Sequence, residues 1–200
     1  MLEPPVGGDT LAAALTDADR PVLDGALTHG CRTALTAAGW PCRGALFTAA
    51  LAARSAYCSA TTPAVIAWAV RRGYLPAAAQ GIAETVLCEA LANAIVHGNL
   101  ELPGLAAHGG ACDAFLDAIA YRLDDDAFGL RPVVLTWRRA AGLLLLHVDD
   151  AGHGYPPPFP GGALPDWPVS GRGRTLMSAF ARRVRVSRGG RRISLGFTHV

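Results

Sequence analysis

The chain has 200 residues, enough for one domain with a substantial core. Hydrophobic residues at 51% and charged residues at 17% exclude a disordered chain. A formal net charge of +2 excludes a general electrostatic affinity for nucleic acid.

Residues 1 to about 10 hold Pro4, Pro5, Gly7 and Gly8 and read as a loose tail. A short helix capped by Thr10 fits Thr10 to Ala18, and Ala34 to Ala38 is helix-friendly. Ala45 to Tyr57 fits a helix or an entering strand equally well. Thr61-Thr62-Pro63 offers an N-cap with proline in the first turn, opening a helix over Ala64 to Arg72 that Gly73 ends. A long apolar helix follows from Leu75 to Gly98, with Val86, Leu87, Ala90, Leu91, Ala94 and Ile95 on one stripe. Glu89, Asn93 and His97, spaced four apart, form a polar row on it. After a Gly- and Pro-containing loop, Cys112 to Leu123 returns to helical spacing.

Beyond Asp124-Asp125-Asp126 the period becomes strand-like. Pro132 to Arg138 and Gly142 to Val148 read as two strands turning at Arg139-Ala140-Ala141. Asp149 to Gly171 is loop by its proline and glycine content, Arg174 to Arg183 a helix, and Arg185–Arg188 with Ile193–Thr198 a hairpin across Gly189-Gly190. This order predicts an α+β, two-layer α/β sandwich, with helices on one face of a mostly antiparallel sheet.

The arginine count carries no lysine beside it, which together with the Ala, Gly and Pro usage reflects GC-rich coding rather than chemistry. Five cysteines without a C-x-x-C pair argue against a disulfide framework or a zinc knuckle and for a reducing cytosol. No apolar run reaches the roughly 20 residues of a membrane span, and the N-terminus lacks the basic start of a signal peptide. A cytoplasmic protein without membrane contact is expected.

Three motifs carry chemistry. The first is Glu89-x-x-x-Asn93-Ala94-x-x-His97-Gly98-Asn99, the second Asp150-Ala151-Gly152-His153-Gly154 directly after a buried strand. The third is Ser170-Gly171-Arg172-Gly173-Arg174 at a helix start. Taken singly each has a bland reading, as a solvated helix face, a turn and a chance glycine pair. Their order, spacing and structural context together give them weight.

In that order the trio resembles the N-box, G1 box and G2 box of the GHKL superfamily, whose Bergerat fold binds ATP. The closest resemblance is to bacterial anti-sigma-factor serine/threonine kinases. It divides the chain into an N-terminal extension, residues 1–54, and a histidine-kinase-like ATP-binding domain, residues 55–200. By resemblance Asp150 reads the adenine amino group, with Gly152 and Gly154 letting backbone approach the ring. Asn93 would give its oxygen to a Mg2+ ion that holds the phosphates. Glu89 would be the general base, and His97 would mainly shape the helix exit. Gly171 and Gly173 lead into a helix N-terminus suited to phosphate, Arg172 could clamp the γ-phosphate, and Tyr155 to Ser170 would form a lid. Arg174 departs from the family's usual apolar residue.

The resemblance implies a kinase that phosphorylates an anti-sigma-factor antagonist and sequesters a sigma factor, with no direct nucleic-acid contact, and it admits a homodimer. Two alternatives stand beside it. One is a non-catalytic, nucleotide-dependent protein-binding module; the other is a histidine-kinase-like catalytic piece acting on a separate phosphoacceptor.

Overall fold

Alternation along the strands decides the layers. In the computed structural model, which describes residues 8–154 and 177–198, β2 (Phe47–Ala52), β3 (Pro132–Ala140) and β4 (Leu143–Asp149) lie side by side and antiparallel. Phe47, Ala49 and Leu51 join Val133, Leu135, Trp137, Leu144, Leu146 and Val148 in one core, because side chains two apart share a face. With β1 (Val22–Leu23), β5 (Arg183–Ser187) and β6 (Arg192–Phe197), the sheet has six strands in the order β1-β2-β3-β4-β6-β5. Among the described strands only the β1–β2 pair is parallel. This is the mixed α/β sandwich expected.

Helices α4 (Thr61–Arg71) and α5 (Gln80–Ala92) supply the second layer through Val65, Ile66, Trp68, Val86 and Leu87. The N-terminal stretch packs on the same core. Helix α1 (Gly8–Thr16) buries Leu11 and Leu15 against it, each worth about 2 kcal/mol. The Trp68 indole donates to the Ala18 carbonyl at 2.8 Å, and Arg71 and Arg72 pair with Asp17 and Asp19. On the opposite face, α2 (His29–Ala37) sets Leu35, with Leu27, over Ala50 and Ala52. Strand β2 is therefore buried on both sides, which explains its continuous alanine-rich composition. Asp24 anchors this end, accepting from the Ala26 and Ala52 amides.

Several boundaries differ from expectation. Ala45 to Tyr57 is both strand and helix, β2 leading straight into α3 (Ala53–Ala56). Helix α4 starts at Thr61, so Thr61 and Thr62 sit inside its first turn instead of capping it; the Thr61 hydroxyl donates to the Ser55 carbonyl at 3.4 Å. The β3–β4 turn is the pair Ala141-Gly142, both left-handed at φ 50° and 72°, the geometry of a tight two-residue hairpin. That carries β3 on to Ala140 and starts β4 at Leu143. Helix α6 (Cys112–Asp124) and the short α7 (Asp126–Gly129) lead into β3, with Asp125 capping α7 through the Ala127 amide.

Candidate functional site

The long helix expected over Leu75 to Gly98 is built in three pitches. A 3-10 turn (Ala77–Ala79) opens it, α5 continues to Ala92, and Asn93–Asn99 is π-helical. The i→i+5 spacing persists to the exit, where Leu100 N–H donates to the Ile95 carbonyl at 2.8 Å. In an α-helix Asn93 and Gly98 would point about 140° apart. In the wider turn five residues make roughly one revolution, so both reach one cleft. Asn93, Ala94 and Gly98 line it together with Asp150, Gly154, Gly190 and Ile193.

Strand alternation separates the two aspartates at the end of β4. Asp149 turns to the outer face, where Arg192 grips both its oxygens at 2.8 and 2.9 Å and Arg188 adds a contact at 3.2 Å. Asp150 turns inward to the cleft. Its Oδ1 accepts the Gly152 amide at 2.9 Å, yet burial, the largest influence, raises its pKa to about 6, with Asp149 adding like charge. A carboxylate held there, with the Arg191 charge offsetting only part of the burial, is poised to accept a hydrogen bond from a ligand.

The glycines around it have steric reasons. A methyl group on Gly152 would lie 2.1 Å from the Gly98 carbonyl oxygen, and one on Gly98 would lie 2.6 Å from Asp150 Cγ. Gly154, at φ 80°, would place a methyl 2.1 Å from the Gly189 carbonyl oxygen. The helix exit, the loop after β4 and the β5–β6 turn thus meet backbone to backbone at the cleft. Gly152→Ala is expected to cost about 2–3 kcal/mol and to weaken ligand binding at least tenfold, read by thermal melting and titration.

Asn99 holds this crossing together. It is fully buried, its Nδ2 donates to the Arg131 and Pro132 carbonyls at 3.1 and 3.2 Å, and its Oδ1 accepts the Ala151 amide at 2.8 Å. Arg131 returns the tie, donating to the Asn99 carbonyl at 2.9 Å and to Glu101 at 2.6 Å. Glu101 sits at φ 54°, is drawn below the usual carboxylate range chiefly by Arg131, and also pairs with His153 at 2.5 Å. The sequence alone gives Asn99 no role beyond its place in the first motif and does not single out Arg131 or Glu101. The one local signal was an amide placed right after Gly98, before a strand start 33 residues away.

Among the expected site residues, Asn93, Asp150 and Gly154 line one cleft and Gly152 abuts it. Asn93 donates its Nδ2 to the Glu89 carbonyl at 2.8 Å. The Glu89 side chain is half-buried and makes no hydrogen bond among the described residues. His97 Nδ1 lies 2.8 Å from the Leu102 carbonyl, which can only accept, so that nitrogen carries the proton and shapes the exit as expected. His153 is exposed apart from its Glu101 contact. Gly171, Arg172, Gly173, Arg174 and the lid residues Tyr155 to Ser170 lie outside the described residues. No cluster of three or more metal-ligating side chains occurs among the described residues, and none of their helices is long and apolar enough to cross a membrane.

The donor set fits a purine nucleotide. A desolvated acceptor lining the cleft suits an exocyclic amine, and the Asn93 amide supplies a hard neutral oxygen. No curated protein matches the chain. Residues 51–197 match the histidine kinase-like ATPase domain, a span that contains both motifs at the cleft and well over half of the molecule. With that match and this cleft, the chain belongs to the histidine kinase-like ATPase family, whose members bind ATP.

Proposed function

We propose that this domain is an ATP- and Mg2+-dependent protein kinase of the serine/threonine type, acting in the cytoplasm as an anti-sigma-factor kinase does. The observation that carries the reading is the inward, desolvated Asp150 beside Asn93, with Glu89 one helical turn earlier. When bound, ATP supplies the transferable γ-phosphoryl group, and Mg2+ neutralises its charge. Asp150 accepts the adenine amine and fixes the ring. Asn93 would offer its oxygen to the metal while its Nδ2 stays tied to the Glu89 backbone carbonyl. Glu89 would serve as the base for the proton of an acceptor hydroxyl, and bound ATP would supply the phosphoryl group, with ADP as leaving group. A sigma factor would be the sequestered partner, and its antagonist the phosphorylated protein.

Two substitutions separate nucleotide binding from transfer. Asn93→Ala is expected to lower ATP affinity at least 100-fold in Mg2+ but only slightly in EDTA, measured by titration calorimetry. Glu89→Gln is expected to keep wild-type ATP affinity and to lose phosphotransfer by about 10²–10⁴-fold. Unchanged affinity in Asn93→Ala would sink the nucleotide assignment. The protein substrate is identified by pull-down from the native cell with and without ATP, followed by mapping of phosphorylated serine, threonine, aspartate and histidine. A nucleotide-dependent binding module without transfer is the second reading, favoured by the absence of any described residue orienting the Glu89 carboxylate. Capture of a partner with no phosphorylated residue would select it.

A further inference from the structure

The sheet ends on β5, which pairs with β6 on one side and with no described strand on the other. Extended backbone with a free row of N–H and C=O groups is a template for a further strand. Its side chains alternate: Val184 packs on the core, while Arg183 and Arg185 are exposed on the opposite face. Register places Arg183 in a row with Gly196, Leu145 and Arg138, and Arg185 in a row with Ser194, His147 and Thr136.

The charge on this face is unbalanced. Arg54, Arg71, Arg72, Arg131, Arg188 and Arg192 each have a carboxylate partner; among the described residues Arg138, Arg183 and Arg185 have none. Asp149, the one carboxylate on the outer rows of β3 to β6, is already held by Arg188 and Arg192. The surplus is felt within the sheet: burial first, then Arg192, push His147 down to about 4, and Arg138 and Arg188 push the same way.

We propose that the free edge of β5 docks an extended acidic segment of a partner protein, which adds a seventh strand. Carboxylates at alternate positions lie beside Arg183 and Arg185, and the intervening apolar residues lie on the side of Val184 and Val186. A second copy of the chain is disfavoured at this edge. Antiparallel self-pairing centred on Val184 or on Arg185 sets arginine opposite arginine. Nucleic acid offers no strand to the free amides and carbonyls and no apolar residue to the valine side. The acidic segment satisfies all three features at once.

Fluorescence anisotropy with the full chain tests this. The probe is a fluorescein-labelled Glu-Val-Glu-Val-Glu peptide, compared with its lysine counterpart, with the same acidic peptide N-methylated at alternate amides, and with single-stranded DNA. The acidic peptide is expected to bind at least tenfold tighter than the lysine peptide, and N-methylation is expected to remove binding. The R183E/R185E variant is expected to bind at least tenfold more weakly while keeping its melting temperature and ATP affinity. Hydrogen exchange at Arg183–Ser187 is expected to slow when peptide is added. Three results would overturn the proposal: no binding of the acidic peptide, equal binding of the N-methylated peptide, or binding of DNA alone. A wild-type dimer that R183E/R185E dissolves would also overturn it, in favour of self-association.

Discussion

Asp150→Asn is expected to abolish ATP binding and, at pH 7.5, to leave the nucleotide-free protein more heat-stable than wild type. Both effects have one cause. Burial raises the Asp150 pKa from 3.8 to about 6, so the folded protein holds this proton more tightly than the unfolded chain does. As pH rises through that window the unfolded chain releases its proton first, and the native state loses stability until about pH 6. Above that the penalty of a buried charge is complete. An asparagine of the same shape can still accept the Gly152 amide without carrying the charge. The gain in melting temperature should therefore shrink as pH falls from about 6 and vanish only below 3.8, where Asp150 is protonated in both states. Ligand affinity moves the other way. The adenine amine loses an ionised acceptor and meets an amide that can present its own donors, a loss of at least 100-fold, or about 3 kcal/mol. In wild type, ATP affinity should fall as pH drops below about 6. Calorimetric titration and melting curves at pH 7.5 and 4.5 check both arms. Wild-type affinity in the variant would remove Asp150 from the nucleotide site.

Asn99→Ala is expected to be the most destabilising single change near the cleft, at about 3–4 kcal/mol. Its amide makes three hydrogen bonds to backbone in two separate segments, the start of β3 and the loop after β4, in a site with no solvent access. Truncation leaves the Ala151 amide and the Arg131 and Pro132 carbonyls without this partner and opens a small void, and each unmet buried group costs about 1–3 kcal/mol. Domains of this size have about 5–15 kcal/mol of total stability, so the variant should denature at clearly lower urea with an unchanged slope. Asn99→Asp distinguishes packing from bonding. It keeps the volume and the acceptor for Ala151 but loses both donor bonds and gains a buried charge, so it should be no more stable than alanine. If Asn99→Ala unfolds at the wild-type midpoint, the amide is not what ties the helix exit to β3 and to the loop after β4.

Much of this architecture was legible in the residues because periodicity reports burial. Strands β3 and β4, helix α6 and the β5–β6 hairpin follow from alternation and helical spacing, and Asp150 with its glycines follows from a turn pattern after a buried strand. Strand β2 was not legible. With apolar contacts on both faces, F-T-A-A-L-A has no alternation to read. Strand β1 is two residues long, and its place depends on pairing with β2. The cap at Thr28, whose hydroxyl accepts the Cys31 amide, was hidden by the glycine that follows His29. At the site, the row Glu89–Asn93–His97 was read with α-helical spacing. The change of pitch at Asn93 is a tertiary event, imposed where the exit must meet Asp150 and Gly152, and no local propensity signals it. The Arg131–Glu101–His153 group was equally silent, because Glu101 lies 30 positions from Arg131 and 52 from His153.

The wide turn at Asn93–Asn99 also changes what this segment can tolerate. It carries one residue more per revolution than the helix before it, so chain length, as well as side-chain identity, decides what reaches the nucleotide. Removing one residue between Ala94 and His97 would let the segment relax to ordinary pitch with almost the same composition. Gly98 and Asn99 would then be swung around the axis, away from Asp150 and the β3 start. The motif is thus a ruler as much as a set of functional groups. A point substitution tests its chemistry, while an insertion or deletion resets its phase and should be the change least compatible with ATP binding.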